Sequence, residues 1–288
     1  MMNKTRALIS IFFVALSAFA CAGINWRTDL AAAMKEGKST RKLVMVYYYA
    51  EYSEWCKQME NFTLKNKSVT AASLKVIPVR INVEDDESRL LKKHKLKGYP
   101  TLLFLDENES KFGELFGFIT PQLLSDEIDK FVSAHQQWPS IWEAYKKSPN
   151  NGEVNAKLSW AYAIRREQDK AISHIQRSER AGYTGLYVAR AYNMIGDTFQ
   201  LGDDYEEAIA YFKKAATKTK DAAILSYSYV SLVSCYHSLQ NKAEMKRWSN
   251  QLFELKGAIP EYVQFAKDLL KRAEESLATT KSGKRLDP

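Results

Sequence analysis

Cysteine, histidine and proline are scarce in this chain, and each scarcity removes a class of protein. Three cysteines (Cys21, Cys56, Cys235) in 288 residues are too few and too scattered for a disulfide framework or a cysteine-based zinc site. The four histidines (His94, His135, His174, His237) share no short metal-ligand spacing, so no metal centre is expected. There is no Gly-rich phosphate loop, and no cofactor is implied. With 7 Pro and 12 Gly against 45% hydrophobic residues, disordered, collagen-like and low-complexity classes are excluded. Lys and Arg exceed Asp and Glu by 42 − 34 = +8, but acids and bases interleave along the chain. No base-stacking platform accompanies the cations, so the excess reads as a solvated surface and not as a nucleic-acid interface. A length of 288 residues points to two domains.

What is present starts with an export pattern over residues 1–20. Lys4 and Arg6 precede an apolar run of thirteen residues, Leu8 to Ala20, and Ala18-Phe19-Ala20 and Ala20-Cys21-Ala22 both fit a small-x-small cleavage site, so the first reading is a cleaved signal peptide. Thirteen residues are short for a membrane span, which needs about 20. No charge lies between Arg6 and Arg27, however, so an uncleaved anchor stays open. A third reading is a lipid anchor at Cys21, because a small residue before a cysteine at the end of an apolar run resembles a bacterial lipoprotein processing site. All three send the rest of the chain across the membrane, to the periplasm or cell envelope of a bacterium.

Residues 24–136 alternate strand and helix patterns. A helix is expected over Ile24–Lys38 with Thr28 as N-cap, and strands over Lys42–Ala50 and Val76–Val83. A helix starting at Ser53 runs to Lys65, and a short one covers Ser88–Leu96. Thr101–Asp106 and Lys111–Ile119 read as a hairpin, and Pro121–His135 as a last helix. The order βαβαββα after an N-terminal helix, with a hairpin of the last two strands, demands a mixed central sheet flanked by helices.

Two stretches in this region carry a resemblance. Ala50-Glu51-Tyr52-Ser53-Glu54-Trp55-Cys56-Lys57-Gln58-Met59-Glu60 resembles the active-site segment of exported thioredoxin-like proteins, A-[DE]-W-C-x-W-C-K-x-M-[DE]. Gly98-Tyr99-Pro100-Thr101 resembles the thioredoxin cis-proline loop. The resemblance implies a thioredoxin-like α/β domain over 24–136. It also implies a peptide-binding surface at Tyr99 and Pro100, with Tyr52 and Trp55 as an aromatic rim; ordinary loop aromatics are the other reading of Tyr52 and Tyr99.

The departures from that pattern bear on chemistry. Ser53 stands where the family has its nucleophilic cysteine, and only the second cysteine, Cys56, remains. Dithiol exchange needs one thiolate to attack and a second to resolve the mixed disulfide, and a hydroxyl cannot do the first. The buried acid that the family places on the preceding strand corresponds here to Tyr47. Ser53 is then a helix N-cap or, less simply, a catalytic hydroxyl, for which no histidine lies close in sequence to act as base. Cys56 is either a packing cysteine or an accessible monothiol favoured by a helix N-terminus and by Lys57.

Residues 138–280 repeat with a period of 37: Tyr162, Phe199 and Tyr236 align, as do Leu158, Ile195 and Leu232, and Ala171, Ala208 and Met245. The middle copy, Tyr192–Ala215, resembles a tetratricopeptide repeat; in the outer copies Ser159 and Val233 replace its glycine and Ser249 its late aromatic. An all-α helical-repeat domain follows, with a capping helix over Glu261–Leu277 and a polar, frayed tail at 281–288. Trp138-Pro139 reads as the linker into it, followed by a bridging helix, Ser140–Lys147. Cys235 reads as a buried structural cysteine. The resemblance implies a concave surface for protein partners. Arg165, Arg166 and Lys170 form a basic cluster that receives an acidic partner segment or simply solvates a helix end.

Two functions of different class follow from these residues. One is an exported peptide- or protein-binding scaffold; the other is a monothiol oxidoreductase acting through Cys56. The triplets at Asn61, Asn66 and Asn108 match glycosylation acceptors but arise often by chance.

Overall fold

The computed structural model describes residues 23–85 and 89–281, and the export and lipid-anchor readings on residues 1–20 and Cys21 and the tail beyond Lys281 lie outside them. The N-terminal part runs α1 (Leu30–Thr40), β1 (Val44–Tyr49), α2 (Glu54–Gln58), α3 (Lys67–Ser73), β2 (Ile77–Asn82), α4 (Arg89–His94), β3 (Thr101–Leu105) and β4 (Lys111–Phe116). A π-helical turn, Met59–Leu64, continues α2. The sheet order is β2-β1-β3-β4, with β1 parallel to β2 and antiparallel to β3, and β4 closing one edge.

Strand β1 (VMVYYY) is buried along its whole length, as a central strand of bulky residues should be. Its side chains alternate between two layers. Met45, Tyr47 and Tyr49 enter a core shared with α2, α3 and the helix after β4, while Val44, Val46 and Tyr48 pack with Ala33 of α1 and Leu90 of α4.

Local signals set most boundaries and shift a few. The cap of α1 is Asp29, not Thr28: its carboxylate accepts from the Ala32 amide at 3.0 Å. Helix α3 was not expected. Asn66 caps it by accepting from the Ser68 amide at 2.9 Å, which gives the Asn66 triplet a local structural role.

The largest departure is α5, a single helix over Pro121–Lys147 that crosses the expected Trp138-Pro139 linker. A proline inside a helix forfeits one backbone hydrogen bond. Here the aromatic side chains around it hold the segment in place: Trp138 stacks on Trp142 at 5.9 Å and meets Tyr162 edge-on at 5.1 Å. The expected bridging helix is therefore the last part of α5, and the N-terminal core continues without a break through Ile141 into Ala156, Leu158 and Trp160.

The remainder is helical: the pairs α6 (Gly152–Ile164) and α7 (Gln168–Arg180), α8 (Leu186–Gln200) and α9 (Tyr205–Thr217), α10 (Ala222–Ser238) and α11 (Lys242–Glu254), then α12 (Pro260–Lys281). Leu158, Ile195 and Leu232 are all buried, as the 37-residue period requires. Helix α12 caps the array through Ala266 and Leu269, while Phe265 beside them is exposed. Among the described residues no helix is long and apolar enough to cross a membrane.

Candidate functional site

The turn after β1 delivers Tyr52, Ser53 and Trp55 to the start of α2. Ser53 is the N-cap of that helix, its Oγ accepting from the Cys56 amide at 3.4 Å. Cys56, at the third helical position, points inward and is only 1% exposed. Its Sγ accepts from the Ala50 amide at 3.5 Å, and the Tyr47 hydroxyl donates to the Cys56 carbonyl at 3.3 Å. Burial drives the Tyr47 phenol far above its ordinary pKa, so it stays protonated and relays no charge. Lys57, a candidate activator of the thiol, pairs instead with Glu54 at 2.6 Å on the exposed face.

The structure brings some of the expected rim together. Tyr52 and Tyr99 meet edge-on at 5.8 Å, with their hydroxyls hydrogen-bonded at 2.5 Å. That bond raises the pKa of the Tyr52 phenol. Tyr52 and Trp55 are 61% and 59% exposed, which leaves large apolar faces in water beside the buried thiol. The Tyr99–Pro100 peptide bond is cis, and the buried Pro100 presents its carbonyl to the Gly117 amide at 2.9 Å.

The basic cluster is divided. Lys170 is exposed and pairs with Glu167. Arg165 is not a free cation: its guanidinium lies 4.7 Å from the Trp138 ring centre and 5.1 Å from that of Phe112, with Glu167 at 2.8 Å. It joins the sheet to the repeats. Arg166 faces a cleft between the two parts.

That cleft also holds a polar cluster missed in the sequence. The Tyr227 hydroxyl donates to Asp197 at 2.5 Å, and Lys130 lies 2.7 Å from Glu127 and 3.9 Å from Asp197. Burial raises the Asp197 carboxyl to about 6 despite the nearby ammonium. The group comes from α5, α8 and α10, so no local spacing could have announced it. Cys235 is fully buried in the repeats, and burial pushes its thiol up to about 12. Among the described residues no group of acids, histidines and cysteines is placed to hold a metal ion.

Comparison with known proteins agrees with this division. A thioredoxin-like family model matches residues 25–107, and a tetratricopeptide repeat model matches residues 189–217. No curated protein matches the chain. Similar solved structures include a DsbH oxidoreductase, at 16% identity over 45% of this chain and 95% of that one, with a TM-score of 0.37. They also include a thioredoxin from Thermus thermophilus, at 20% identity over 41% and 94% of the two chains, TM-score 0.37. A third is the reduced C-terminal domain of DsbD from Neisseria meningitidis, at 28% identity over 38% and 92%, TM-score 0.30. The α/β part around Cys56 is thus a thioredoxin-like domain, and the helical part that follows carries a tetratricopeptide repeat at α8–α9.

Proposed function

We propose that this chain is an exported binding or scaffold protein of the bacterial cell envelope, whose thioredoxin-like domain has given up thiol exchange and whose helical repeats hold a protein or peptide partner. The observation that carries this reading is the burial of Cys56 behind the N-cap Ser53. Exchange begins with a thiolate in line with a substrate disulfide. A sulfur at 1% exposure, in a motif whose outer position is a hydroxyl, offers no such approach.

The surface that remains suits recognition. Tyr52, Trp55 and Tyr99 make an aromatic rim beside the loop at Pro100, and amphipathic rings of this kind bind at low cost in side-chain entropy. The repeats stack into an extended surface of the type that takes up partner segments. Export rests on Lys4, Arg6 and the apolar run Leu8–Ala20, with a lipid at Cys21 as its membrane-bound form.

The test is the alkylation rate of Cys56 against pH in the folded protein, with Cys235→Ala as background. Protection until the protein unfolds is expected. Fast labelling, with a midpoint well below the free-thiol value of about 8.5, would replace this reading with that of a monothiol oxidoreductase.

A further inference from the structure

Two adjoining cavities open between the thioredoxin-like domain and the repeats, one of about 650 Å³ and one of about 410 Å³. They share Leu123, Glu127, Arg166, Thr198 and Leu201, so they form one cleft with Arg166 at the division. One wall of the larger cavity consists of Lys111, Gly113, Glu114, Leu115 and Phe116. Consecutive residues of a strand point to opposite faces of the sheet. They line a single cleft together when that cleft runs along the strand's edge, and β4 is an edge strand.

An open edge is a template for a further strand. The facing wall, formed by the turns after α6 and α8 at Arg166, Leu201 and Gly202, stands across from it. A second copy of the sheet would have to displace that wall, whereas a single extended segment can lie between.

Charge selects the segment. Each acid of the larger cavity already has its cation: Glu114 with Lys111 at 2.8 Å, Glu167 with Arg165 at 2.8 Å, and Glu127 with Lys130 at 2.7 Å. Of the described cations that line the larger cavity, Lys97 and Arg166 are left without an ion pair. Arg166 is held in the left-handed region, φ 60°, with a buried Nε that has no hydrogen-bond partner. Its nearby carboxylate, Asp197, is engaged by Tyr227. A guanidinium so placed matches a carboxylate through its fork of donors. Phe116, Leu123 and Leu201 are exposed at the cleft and suit alternate apolar side chains.

We propose that this cleft docks an extended peptide segment that pairs with the free edge of β4 and delivers an Asp or Glu carboxylate to Arg166, an inference that rests on the peptide-binding function above. The probe is an array of random-sequence decapeptides read with the full chain, the best binder then being measured by fluorescence anisotropy. Binders should be enriched in Asp and Glu, and the bound peptide should slow hydrogen exchange at amides 111–116. Arg166→Asn, which tolerates the left-handed backbone, should weaken the best binder about tenfold or more, the usual worth of a charged hydrogen bond. Leu201→Glu, on the exposed facing wall, should do the same by repulsion. If both cleft variants bind like the parent, or protection falls on residues 52–55 and 99–101 instead, the cleft proposal is overturned while peptide binding stands. If no decapeptide binds above background, both are overturned.

Discussion

The guanidinium of Arg165 lies 4.7 Å from the centre of the Trp138 ring, across the joint between the sheet and the first repeat. Phe112 of β4 sits 5.1 Å from the same group, so one side chain is shared by the thioredoxin-like domain, α5 and the α6–α7 turn. The hydrophobic core is continuous from Phe104 to Ala191, so the two parts share one core at this joint.

Loss of Arg165 should therefore be felt in both parts. Two partly desolvated cation–π contacts are worth about 1 kcal/mol each. Arg165→Ala should lower the unfolding free energy by about 1–2 kcal/mol and raise hydrogen exchange in β4 and α6 together. Arg165→Lys should recover little, because an ammonium cannot stack over two rings as the planar guanidinium does. Destabilisation confined to α6 and α7 would show that the joint carries no load.

Ser53 should matter to stability and not to chemistry. Its Oγ satisfies one orphan amide at the start of α2 through a rather long bond, 3.4 Å. Ser53→Ala should cost about 0.5–1 kcal/mol in urea unfolding, near the low end for lost caps. Ser53→Asp should retain or improve stability, because it keeps the acceptor and adds a charge favoured by the helix dipole. A serine with a catalytic role would give Ser53→Asp the behaviour of a dead enzyme, with stability intact.

Much of this could be read from the residues. The full burial of β1, the cap at Ser53 and the repeat positions Leu158, Ile195 and Leu232 follow from a dense β-branched and aromatic run, from local spacing and from a period of 37. What could not be read was assembled at a distance. Pro139 looks like a linker until Trp138, Trp142 and Tyr162 are seen to clasp the helix around it. Arg165 looks like a surface charge until Phe112, more than fifty positions earlier, is folded against it. The thiol's burial also depends on tertiary packing: Tyr47, from the strand before the motif, fills the space beside the Cys56 backbone.

Gly196 offers a test of the repeat packing. A Cβ there would stand 2.7 Å from the Phe212 ring, closer than carbon atoms can approach. The equivalent pairs one period away are Ser159 with Ile175 and Val233 with Ser249, so the residue at 196 and its equivalents grows as the opposing side chain shrinks. Gly196→Ala should cost about 1–3 kcal/mol, as overpacked cores do. Phe212→Leu should recover part of that loss in the double variant, and strict additivity would show that the two positions do not share one space.

His174 should set the acid limb of stability. Asn155 donates its amide to the carbonyls of Pro149 and Asn151, which fixes its Oδ1 as an acceptor for the His174 Nδ1–H at 2.8 Å. The ring also stacks on Tyr162 at 5.4 Å and has Arg177 nearby. Burial, with help from that cation, lowers its pKa from 6.5 to about 4. Between these values the unfolded chain binds the proton and the folded one does not, so stability falls as pH drops through this window. The stabilisation is fully present above about pH 6.5 and amounts to something on the order of 2 kcal/mol. His174→Gln removes the titration and can still donate to Asn155. Urea unfolding at pH 7.5 and at pH 4.5 should show a smaller loss for the variant than for the parent. Equal losses would assign the acid limb to other groups.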